Sequence, residues 1–361
     1  MLIDSLDGGG AERGVLEYAR AFEMKDVDVH LFVLREVDGY DDARAFRTHH
    51  VPDAGEHLSV PIDRAAASLR ATVADVERTR GAPFDLFLAH LPQSCELAAA
   101  ARLKPAYMFV HNSFGRELKH ELMRGPRRYL RMRKRLTAMR DQHVIAISKD
   151  LRREVESSRV IRPASLRLIY HAFPVDQIRA MAREPVAGMP DGPFVVHVGR
   201  GSPQKRQDIL FRAFRHVPEP HRLVCLSRHV DKLRKLAKRY GIADRLVTPG
   251  FQQNPHAWIA RARLMALSSD FEGLCRVLIE SLICGTPVVS TRCPHGPAEI
   301  LGEELAHWLV PVRRPDLLGA KITEALETEI DLSRWRLIDE ITTEAVAEKL
   351  VALFDARSER A

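Results

Sequence analysis

Short apolar runs rich in Val, Ile, Leu and Phe alternate along this chain with amphipathic stretches. Such runs are typical of strands buried on both faces of a parallel sheet, and amphipathic stretches of roughly 10 to 15 residues are typical of the connecting helices. The alternation therefore predicts an α/β fold assembled from βαβ units. At 361 residues the chain exceeds what one hydrophobic core usually supports, so two domains are expected.

The pattern of apolar residues in the N-terminal half predicts one sheet and a first helix. The helix is predicted over Glu12–Met24, because apolar residues recur there at helical spacing. Strands are predicted at about 1–6, 29–34, 84–89, 106–110, 144–147 and 166–170, each as a run of apolar residues.

The rhythm of strands and helices stops near Asp176, and the segment REPVAGMPDGP that follows contains the prolines and glycines of a linker. A second set of strands begins at FVVHV and continues through RLVCL, RLVTP, RLMAL, PVVS and HWLV. The pattern predicts two doubly wound Rossmann-like domains that face each other across a ligand-binding cleft. The expected divisions are an N-terminal domain at 1–176, a linker at 177–193, a C-terminal domain at 194–338, and a final helical segment at 339–361 that packs back on the N-terminal domain.

Composition predicts a cytoplasmic protein that meets anions. The net charge is +7, and the five cysteines are widely spaced without a C-x-x-C pair, which fits a reducing compartment. The first residues, MLIDSLDGGG, lack the basic start and apolar stretch of a signal peptide, and no run of 18 apolar residues occurs. Aromatic residues are only 6%, and no RNA- or DNA-binding module is visible, so nucleic acid is not an expected partner.

The segment FEGLCRVLIESLICGTPVVS carries the clearest chemical pattern. Glu272 and Glu280 lie eight positions apart, on a loop that leads into a helix predicted to begin near Cys275. Gly273 allows a ligand to approach the backbone closely, and the free N–H groups of the helix start favour a diphosphate. Taken alone, both glutamates are also compatible with solvated helix positions.

This segment resembles the E-x7-E signature of the retaining family 4 glycosyltransferases, which have the GT-B fold. Four other stretches are similar to motifs of that family and follow in its order. They are DGGGAERGVLEYARAF, HVIAISKD, LIYHAFPVD and VGRGSPQKRQDIL. The first of them resembles the family's N-terminal glycine loop and first helix, and the third has His171 where asparagine is commoner in the family. TRCPHGPAEIL resembles the turn and short helix that come after the E-x7-E unit.

The resemblance implies roles for residues of the C-terminal domain. Arg200 and Lys205 would stabilise the charge that develops on the departing diphosphate. Glu272 would contact hydroxyls of the donor sugar, and Glu280 the ribose. The other residues implied in donor binding there are Gly273, Leu274, Cys275, Ser227 and Phe251. Cys275 is expected to be a small loop residue and not a nucleophile.

In the N-terminal domain, the resemblance implies that Gly9 and Gly10 let the glycine loop approach the donor, and that His111 is an active-site histidine. His90 and His171 are interpreted as structural or rim residues and left out of the site.

The implied activity is transfer of a hexose-type sugar from a nucleotide diphosphate sugar, with a UDP-sugar favoured, to a glycan or lipid-linked acceptor in bacterial surface polysaccharide or lipopolysaccharide biosynthesis. No cofactor, divalent metal or carboxylate nucleophile is expected. The alternatives are a nucleotide-sugar epimerase on the same fold and a nucleic-acid-binding protein. A dehydrogenase is disfavoured, since the glycine loop lacks G-x-G-x-x-G spacing.

The segment RGPRRYLRMRKRLTAMR, at 124–140, carries eight basic residues among apolar ones. One interpretation is a solvated helix that leads into the next strand. The other is an amphipathic face that docks on anionic lipid, which would place the protein at the inner face of the membrane.

Overall fold

The computed structural model describes residues 1–7, 9–35, 41–55 and 60–355. The chain divides into two compact units. The N-terminal unit contains Met1–Phe173 and the segment that starts at Glu340, and the C-terminal unit contains Pro174–Asp339. Each unit is built on a parallel sheet with connecting helices, so the predicted α/β Rossmann-like fold class is confirmed.

The strands of the N-terminal unit are β1 (Leu2–Ile3), β2 (His30–Val33), β3 (Arg47–His50), β4 (Phe87–His90), β5 (Ala106–Val110), β6 (His143–Ala146) and β7 (Ser165–Leu168). In the described part of this unit these seven strands form one parallel sheet in the order β3-β2-β1-β4-β5-β6-β7. Because all strands run the same way, the loops that follow them emerge at one edge of the sheet.

The helices of this sheet are α1 (Gly10–Glu23), α2 (Ile62–Arg80), α3 (Pro92–Ala100), α4 (Phe114–Met123), α5 (Pro126–Thr137) and α6 (Lys149–Glu156), with a 3₁₀ turn at Asp41–Ala45. Helix α1 buries the predicted apolar face and begins two residues earlier than predicted, with Gly9 as its N-cap. Side-chain caps define two other starts: Ser113 accepts from the amide of Arg116 at 3.3 Å, and Ser148 accepts from the amide of Leu151 at 3.2 Å.

Strand β3 is absent from the sequence prediction. Its sequence, RTHH, is polar and lacks the apolar run that marks a buried strand. It lies at the edge of the sheet and pairs with β2. An edge strand needs little apolar surface. Strand β3 is therefore defined by its pairing with β2 and not by its composition.

The strands of the C-terminal unit are β8 (Phe194–Val198), β9 (Arg222–Leu226), β10 (Leu246–Gly250), β11 (Leu264–Leu267), β12 (Val288–Thr291) and β13 (Leu309–Val310). All residues of this unit are described, and the six strands form one parallel sheet in the order β10-β9-β8-β11-β12-β13. Each lies within two residues of a predicted strand.

The helices of this unit are α7 (Val175–Arg183), α8 (Gln207–Phe214), α9 (Val230–Arg239), α10 (His256–Ile259), α11 (Arg276–Ile283), α12 (Pro297–Leu301) and α13 (Pro315–Glu327), with 3₁₀ turns at Pro203–Lys205, Ala243–Arg245 and Ala306–Trp308. Helix α7 corrects the predicted linker, whose first seven residues are helical. Ile178 and Ala182 are buried one turn apart, and α7 packs on α10 and α11. Tertiary packing therefore stabilises a short helix that the sequence pattern did not reveal.

The chain returns to the N-terminal unit through α14 (Ile338–Ile341) and ends its described part in α15 (Thr343–Asp355). Helix α15 packs on α1, where the rings of Phe22 and Phe354 lie 6.1 Å apart. Val346 and Leu350 are fully buried in the same helix. The last helix thus completes the hydrophobic cover of the first.

Candidate active site

Two predicted residues of the C-terminal unit, Lys205 and Glu272, form a buried ion pair. Nζ of Lys205 donates to Oε1 of Glu272 at 2.8 Å, and the side chains are only 16% and 8% exposed. Burial by itself lowers the pKa of Lys205, but the attraction of the Glu272 carboxylate exceeds this effect and leaves the pKa above its usual value. Lys205 is therefore a fixed cation at neutral pH.

The loops that carry this pair are hydrogen-bonded to each other. The amide of Asp270 donates to the carbonyl of Gln204 at 2.9 Å, and Nε2 of Gln204 donates to the carbonyl of Phe271 at 2.8 Å. One loop follows β8 and the other follows β11, and these strands are neighbours in the parallel sheet. The order of the strands therefore unites two residues that lie 67 positions apart.

Arg206, next to Lys205, has a φ of +48°, in the left-handed region that favours glycine. Its guanidinium lies 2.8 Å from a carboxylate oxygen of Asp208 and 3.1 Å from one of Asp270, and Asp270 also accepts from Arg313 at 2.8 Å. These ion pairs hold a backbone conformation that costs about 1 kcal/mol or more. The sequence does not predict this network, because its only local signal is the basic pair at 205–206 followed by Asp208.

The loop from Gly273 to Cys275 is buried and leads into α11, which begins at Arg276 with Cys275 as its N-cap. Gly296 packs tightly on it, because a Cβ there would lie 3.1 Å from the amide nitrogen of Cys275. Burial raises the pKa of the Cys275 thiol well above its usual value. A protonated, buried thiol is a poor nucleophile.

Glu280 lies on α11 and has polar partners of its own. Its Oε1 is 3.4 Å from Nε of Arg276, one turn earlier, and its Oε2 is 3.9 Å from Nε2 of His256. The two carboxylates of the predicted signature therefore belong to separate ion pairs. The sequence motif predicts neither partner, and His256 lies 24 positions earlier on α10, outside the motif.

The other predicted donor residues follow β8, β9 and β10. Arg200 is exposed, whereas Ser227 is buried and its Oγ accepts from the amide of His229 at 3.2 Å. Phe251 is 44% exposed, and the guanidinium carbon of Arg228 lies 4.3 Å from its ring centroid. Because these strands are parallel neighbours, Arg200, Ser227 and Phe251 lie at the same edge of the sheet as Lys205 and Glu272.

In the N-terminal unit, Gly9 and Gly10 lie at the start of α1, where an α-helix leaves its first N–H groups without intrahelical partners. His111 directly follows β5. Nε2 of His111 lies 3.0 Å from Nδ1 of His90, and Nδ1 of His111 lies 3.2 Å from Nε2 of His171. The structure thus joins His111 to two buried histidines that sequence analysis set aside.

Glu117 is a further residue that sequence analysis missed. It lies in the first turn of α4, and its Oε1 accepts from Nδ2 of Asn112 at 3.0 Å. Burial raises the pKa of Glu117 to about 7, although the hydrogen bond from Asn112 opposes this shift. Glu117 lies six positions after His111, and a carboxyl group with a pKa raised in this way can exchange a proton near neutral pH.

The basic segment predicted at 124–140 forms α5 and its flanks. Leu122, Met123 and Leu130 are 54%, 80% and 57% exposed. The basic side chains that are exposed beside them are Arg124, Arg127, Arg128, Arg131, Arg133 and Lys134. No helix within the described residues is long and apolar enough to span a membrane, and no cluster of potential metal ligands occurs among those residues.

Two family models match the chain. The model described as Glycosyltransferase Family 4 matches residues 8–177, and that of Glycosyl transferases group 1 matches residues 182–339. The chain belongs to glycosyltransferase family 4. The family resemblance inferred from the sequence motifs is therefore confirmed, and transfer is favoured over the epimerase alternative.

Relatives of this family 4 glycosyltransferase carry the names of glycosyltransferases, one of them of lipopolysaccharide core biosynthesis. One relative is the N-acetylgalactosamine-N,N'-diacetylbacillosaminyl-diphospho-undecaprenol 4-alpha-N-acetylgalactosaminyltransferase of Campylobacter jejuni. It is 24% identical over 344 residues, and the alignment covers 91% of this chain and 90% of the relative. This enzyme is 30% identical over 128 residues to the lipopolysaccharide core biosynthesis glycosyltransferase LpsE of Rhizobium meliloti, or 35% of this chain and 38% of the relative.

Solved structures support the same fold. The sucrose-phosphate synthase of Thermosynechococcus elongatus superposes with a TM-score of 0.78 at 18% identity and covers 100% of this chain and 99% of its own. HepE from Anabaena in complex with UDP-glucose superposes with a TM-score of 0.74 at 19% identity, over 99% of this chain and 100% of HepE. The family 4 enzyme therefore has the GT-B fold predicted from its motifs.

Proposed function

We propose that this glycosyltransferase transfers a hexose-type sugar from a UDP-sugar to a glycan or lipid-linked acceptor, with retention of anomeric configuration, in the biosynthesis of a bacterial surface polysaccharide or lipopolysaccharide. The observation that carries the proposal is the buried Lys205–Glu272 ion pair at the carboxyl edge of the C-terminal sheet. It combines a fixed cation for a phosphate with a carboxylate for sugar hydroxyls. Ligands of open parallel sheets bind at this edge.

Cleavage of the donor leaves new negative charge on the diphosphate. Lys205, held in place by Glu272, stabilises that charge without a change of conformation, and Arg200 adds a second cation from the exposed side of the same loop. Cations fixed in this way stabilise the transition state more than the ground state, since the charge is larger there.

Retention requires that the acceptor attack the face from which the diphosphate departs. The bond between the anomeric carbon and the phosphate oxygen breaks, the acceptor oxygen bonds to the same carbon, and the acceptor proton passes to the departing phosphate. In this step Glu272 contacts donor-sugar hydroxyls through the oxygen that Lys205 does not occupy. Glu280 binds the ribose, and Phe251 lies beside the nucleobase.

Names of similar proteins support the choice of substrates. HepE was crystallised with UDP-glucose, which favours a UDP-sugar here. The name of the Campylobacter relative includes a diphospho-undecaprenol acceptor, which favours a lipid-linked acceptor.

A thermal-shift screen with UDP-, GDP- and ADP-sugars tests the donor. UDP-sugars are expected to raise Tm most, because a ligand at 100 times its Kd stabilises the fold by about 2.7 kcal/mol. Glu280→Gln is expected to reduce this shift, while Glu303→Gln, at an exposed position of the same unit, keeps it. A larger shift with GDP-sugars would contradict the UDP assignment. The anomeric configuration of the product, read by NMR, tests retention, and an inverted product contradicts it.

We also propose that the enzyme meets its lipid-linked acceptor by docking on anionic lipid through the α4–α5 surface, defined as Leu122, Met123, Leu130 and the exposed basic residues around them. In the described part of the chain, Arg127, Arg131 and Arg133 form no ion pair, so their charges are available to lipid phosphates. Each basic residue near such a surface contributes about 1 kcal/mol, and the apolar side chains add burial in the lipid boundary.

Flotation with vesicles tests this surface. The wild-type chain is expected to float with vesicles that contain anionic lipid and not with neutral vesicles. Replacing both Leu122 and Met123 by Ser is expected to weaken flotation severalfold. Met24→Ser is the matched control, because Met24 is also more than half exposed but lies outside the surface. Equal recovery with both kinds of vesicle would exclude the docking.

A further inference from the structure

The histidines of the N-terminal unit form one hydrogen-bonded chain, His90–His111–His171. His90 is the last residue of β4, His111 directly follows β5, and His171 lies three positions after β7, so the parallel sheet presents all three at one edge. The two nitrogen-to-nitrogen distances are 3.0 and 3.2 Å. Both ring nitrogens of His111 are therefore engaged by other imidazoles.

The surrounding side chains hold these rings closely. The ring of Phe109 stacks on His90 with centroids 4.4 Å apart and on His111 at 5.7 Å. Helix α1 closes the other side, where the ring of Tyr18 lies 5.9 Å from that of His90 and 5.7 Å from that of His171. A Cβ at Gly14, one turn earlier on α1, would lie 2.9 Å from Nε2 of His171. Little room remains for the rings to turn.

Two hydrogen bonds among three imidazoles restrict where the protons lie. A neutral imidazole has one N–H donor and one acceptor nitrogen. If His111 is neutral, it donates to one neighbour and accepts from the other, and all three rings then carry their proton on the same atom, either Nδ1 or Nε2. If His111 is an imidazolium, it donates to both neighbours, so His90 carries its proton on Nε2 and His171 on Nδ1. Mixed tautomers therefore indicate a charged His111.

We propose that His90 and His171 are positioning residues that fix the orientation and the tautomer of His111 and hold it as a neutral imidazole, so that His111 carries no proton for the transfer. The inference rests on the proposed function in one respect, that His111 lies in the active site. The two hydrogen bonds of His111 go to neutral-type partners, the imidazoles of His90 and His171, and the hydroxyl of the neighbouring Tyr18 donates to the carbonyl of Tyr170 at 3.1 Å.

Burial supports a neutral chain. It lowers the pKa of His111 to about 3 and that of His90 well below its usual value, and the neighbouring His111 opposes a positive charge on His90 as well. A neutral His111 also agrees with the proposed step, in which the departing phosphate and not a side chain takes the acceptor proton.

NMR of the full chain with ¹⁵N-labelled histidine tests the inference without any substrate. The expected result at pH 7 is one protonated nitrogen per ring, the same tautomer in His90, His111 and His171, and scalar couplings across both N–H···N hydrogen bonds. The spectrum of His111 is expected to stay unchanged down to pH 5. Mixed tautomers, or titration of His111 near pH 6.5, would overturn the proposal.

Kinetics test the positioning role. His171→Asn, which introduces the residue common in the family, and His90→Gln are expected to lower kcat about tenfold while the KM for the donor stays the same, since a misplaced group costs rate more than binding. His143→Gln is the control, because His143 lies on the same sheet but is hydrogen-bonded to Ser165 and is not part of the chain of three histidines. Wild-type kcat in both variants would overturn the positioning role. The wild-type pH–rate profile could instead show an inflection near pH 6.5 that is absent from His111→Asn. That result would overturn the proposal that His111 is neutral.

The two proposals fail separately. If the tautomers match and no nucleotide sugar is turned over, the sugar transfer is wrong while the neutral histidine chain stands. If transfer is observed but the three histidines have mixed tautomers, the neutral histidine chain is wrong while the sugar transfer stands.

Discussion

The two units place different polar groups at the corresponding edges of similar sheets. The C-terminal unit holds opposite charges, with Lys205 against Glu272 and Arg206 against Asp270. The N-terminal unit holds the histidine chain, whose central ring is neutral because burial lowers its pKa. A buried charge requires a partner, whereas a buried neutral imidazole requires only a hydrogen bond. One edge therefore presents fixed charges suited to a phosphate, whereas the other presents a hydrogen-bonded set of neutral rings.

The largest expected effect comes from breaking the ion pair. Lys205→Met leaves Glu272 buried without its cation, so we expect a loss of about 3 to 5 kcal/mol in the free energy of unfolding, together with loss of turnover. Urea denaturation and a transfer assay measure the two effects. The double variant Lys205→Met with Glu272→Leu is expected to regain most of the stability and none of the turnover. Turnover at the wild-type level in Lys205→Met would contradict the role assigned to the pair.

Acid provides the second test, and it acts on the histidines. Burial lowers the pKa of His111 to about 3 and that of His197 to about 4, against 6.5 in the unfolded chain. Below pH 6.5 the unfolded state therefore binds more protons, and stability falls as the pH falls, by up to about 1.4 kcal/mol per pH unit for each histidine. The loss is expected to continue toward pH 4 for His197 and pH 3 for His111.

Urea midpoints at pH 7.5 and pH 5 measure this loss. His111→Asn is expected to reduce the difference between the two midpoints, because asparagine does not titrate. Hydrogen exchange at the same two pH values shows which unit opens, and the N-terminal unit is expected to lose more protection, since it buries His90 and His111 together. An equal loss in both units would weaken the comparison.

The smallest expected effect concerns the nucleobase. Phe251→Ala removes an exposed aromatic ring. Because base–aromatic stacking contributes about 1 to 3 kcal/mol, UDP is expected to bind about tenfold more weakly. The Tm of the free protein is expected to change little. Calorimetric titration with UDP measures it. Leu317→Ala, at another exposed apolar residue of the same unit, is the control. Equal affinity in both variants would remove Phe251 from the donor site.

Much of the fold was predictable because its signals are local. The buried strands of both sheets are runs of apolar residues, and β5 and β8 have the predicted bounds. The failures are places where local sequence carries little information. Strand β3 is polar, and α7 is a short helix inside a segment that reads as a linker.

The α/β architecture, the order of the buried strands and the family could be read from the sequence alone, because apolar periodicity and short motifs are properties of neighbouring residues. Only the tertiary structure decided which side chains meet. Lys205 reaches Glu272, and His111 reaches His90 and His171, across long separations in the chain, since parallel strands deliver distant loops to one edge of a sheet. The neutral chain and the charged pair are therefore results of packing, which no single stretch of sequence contains.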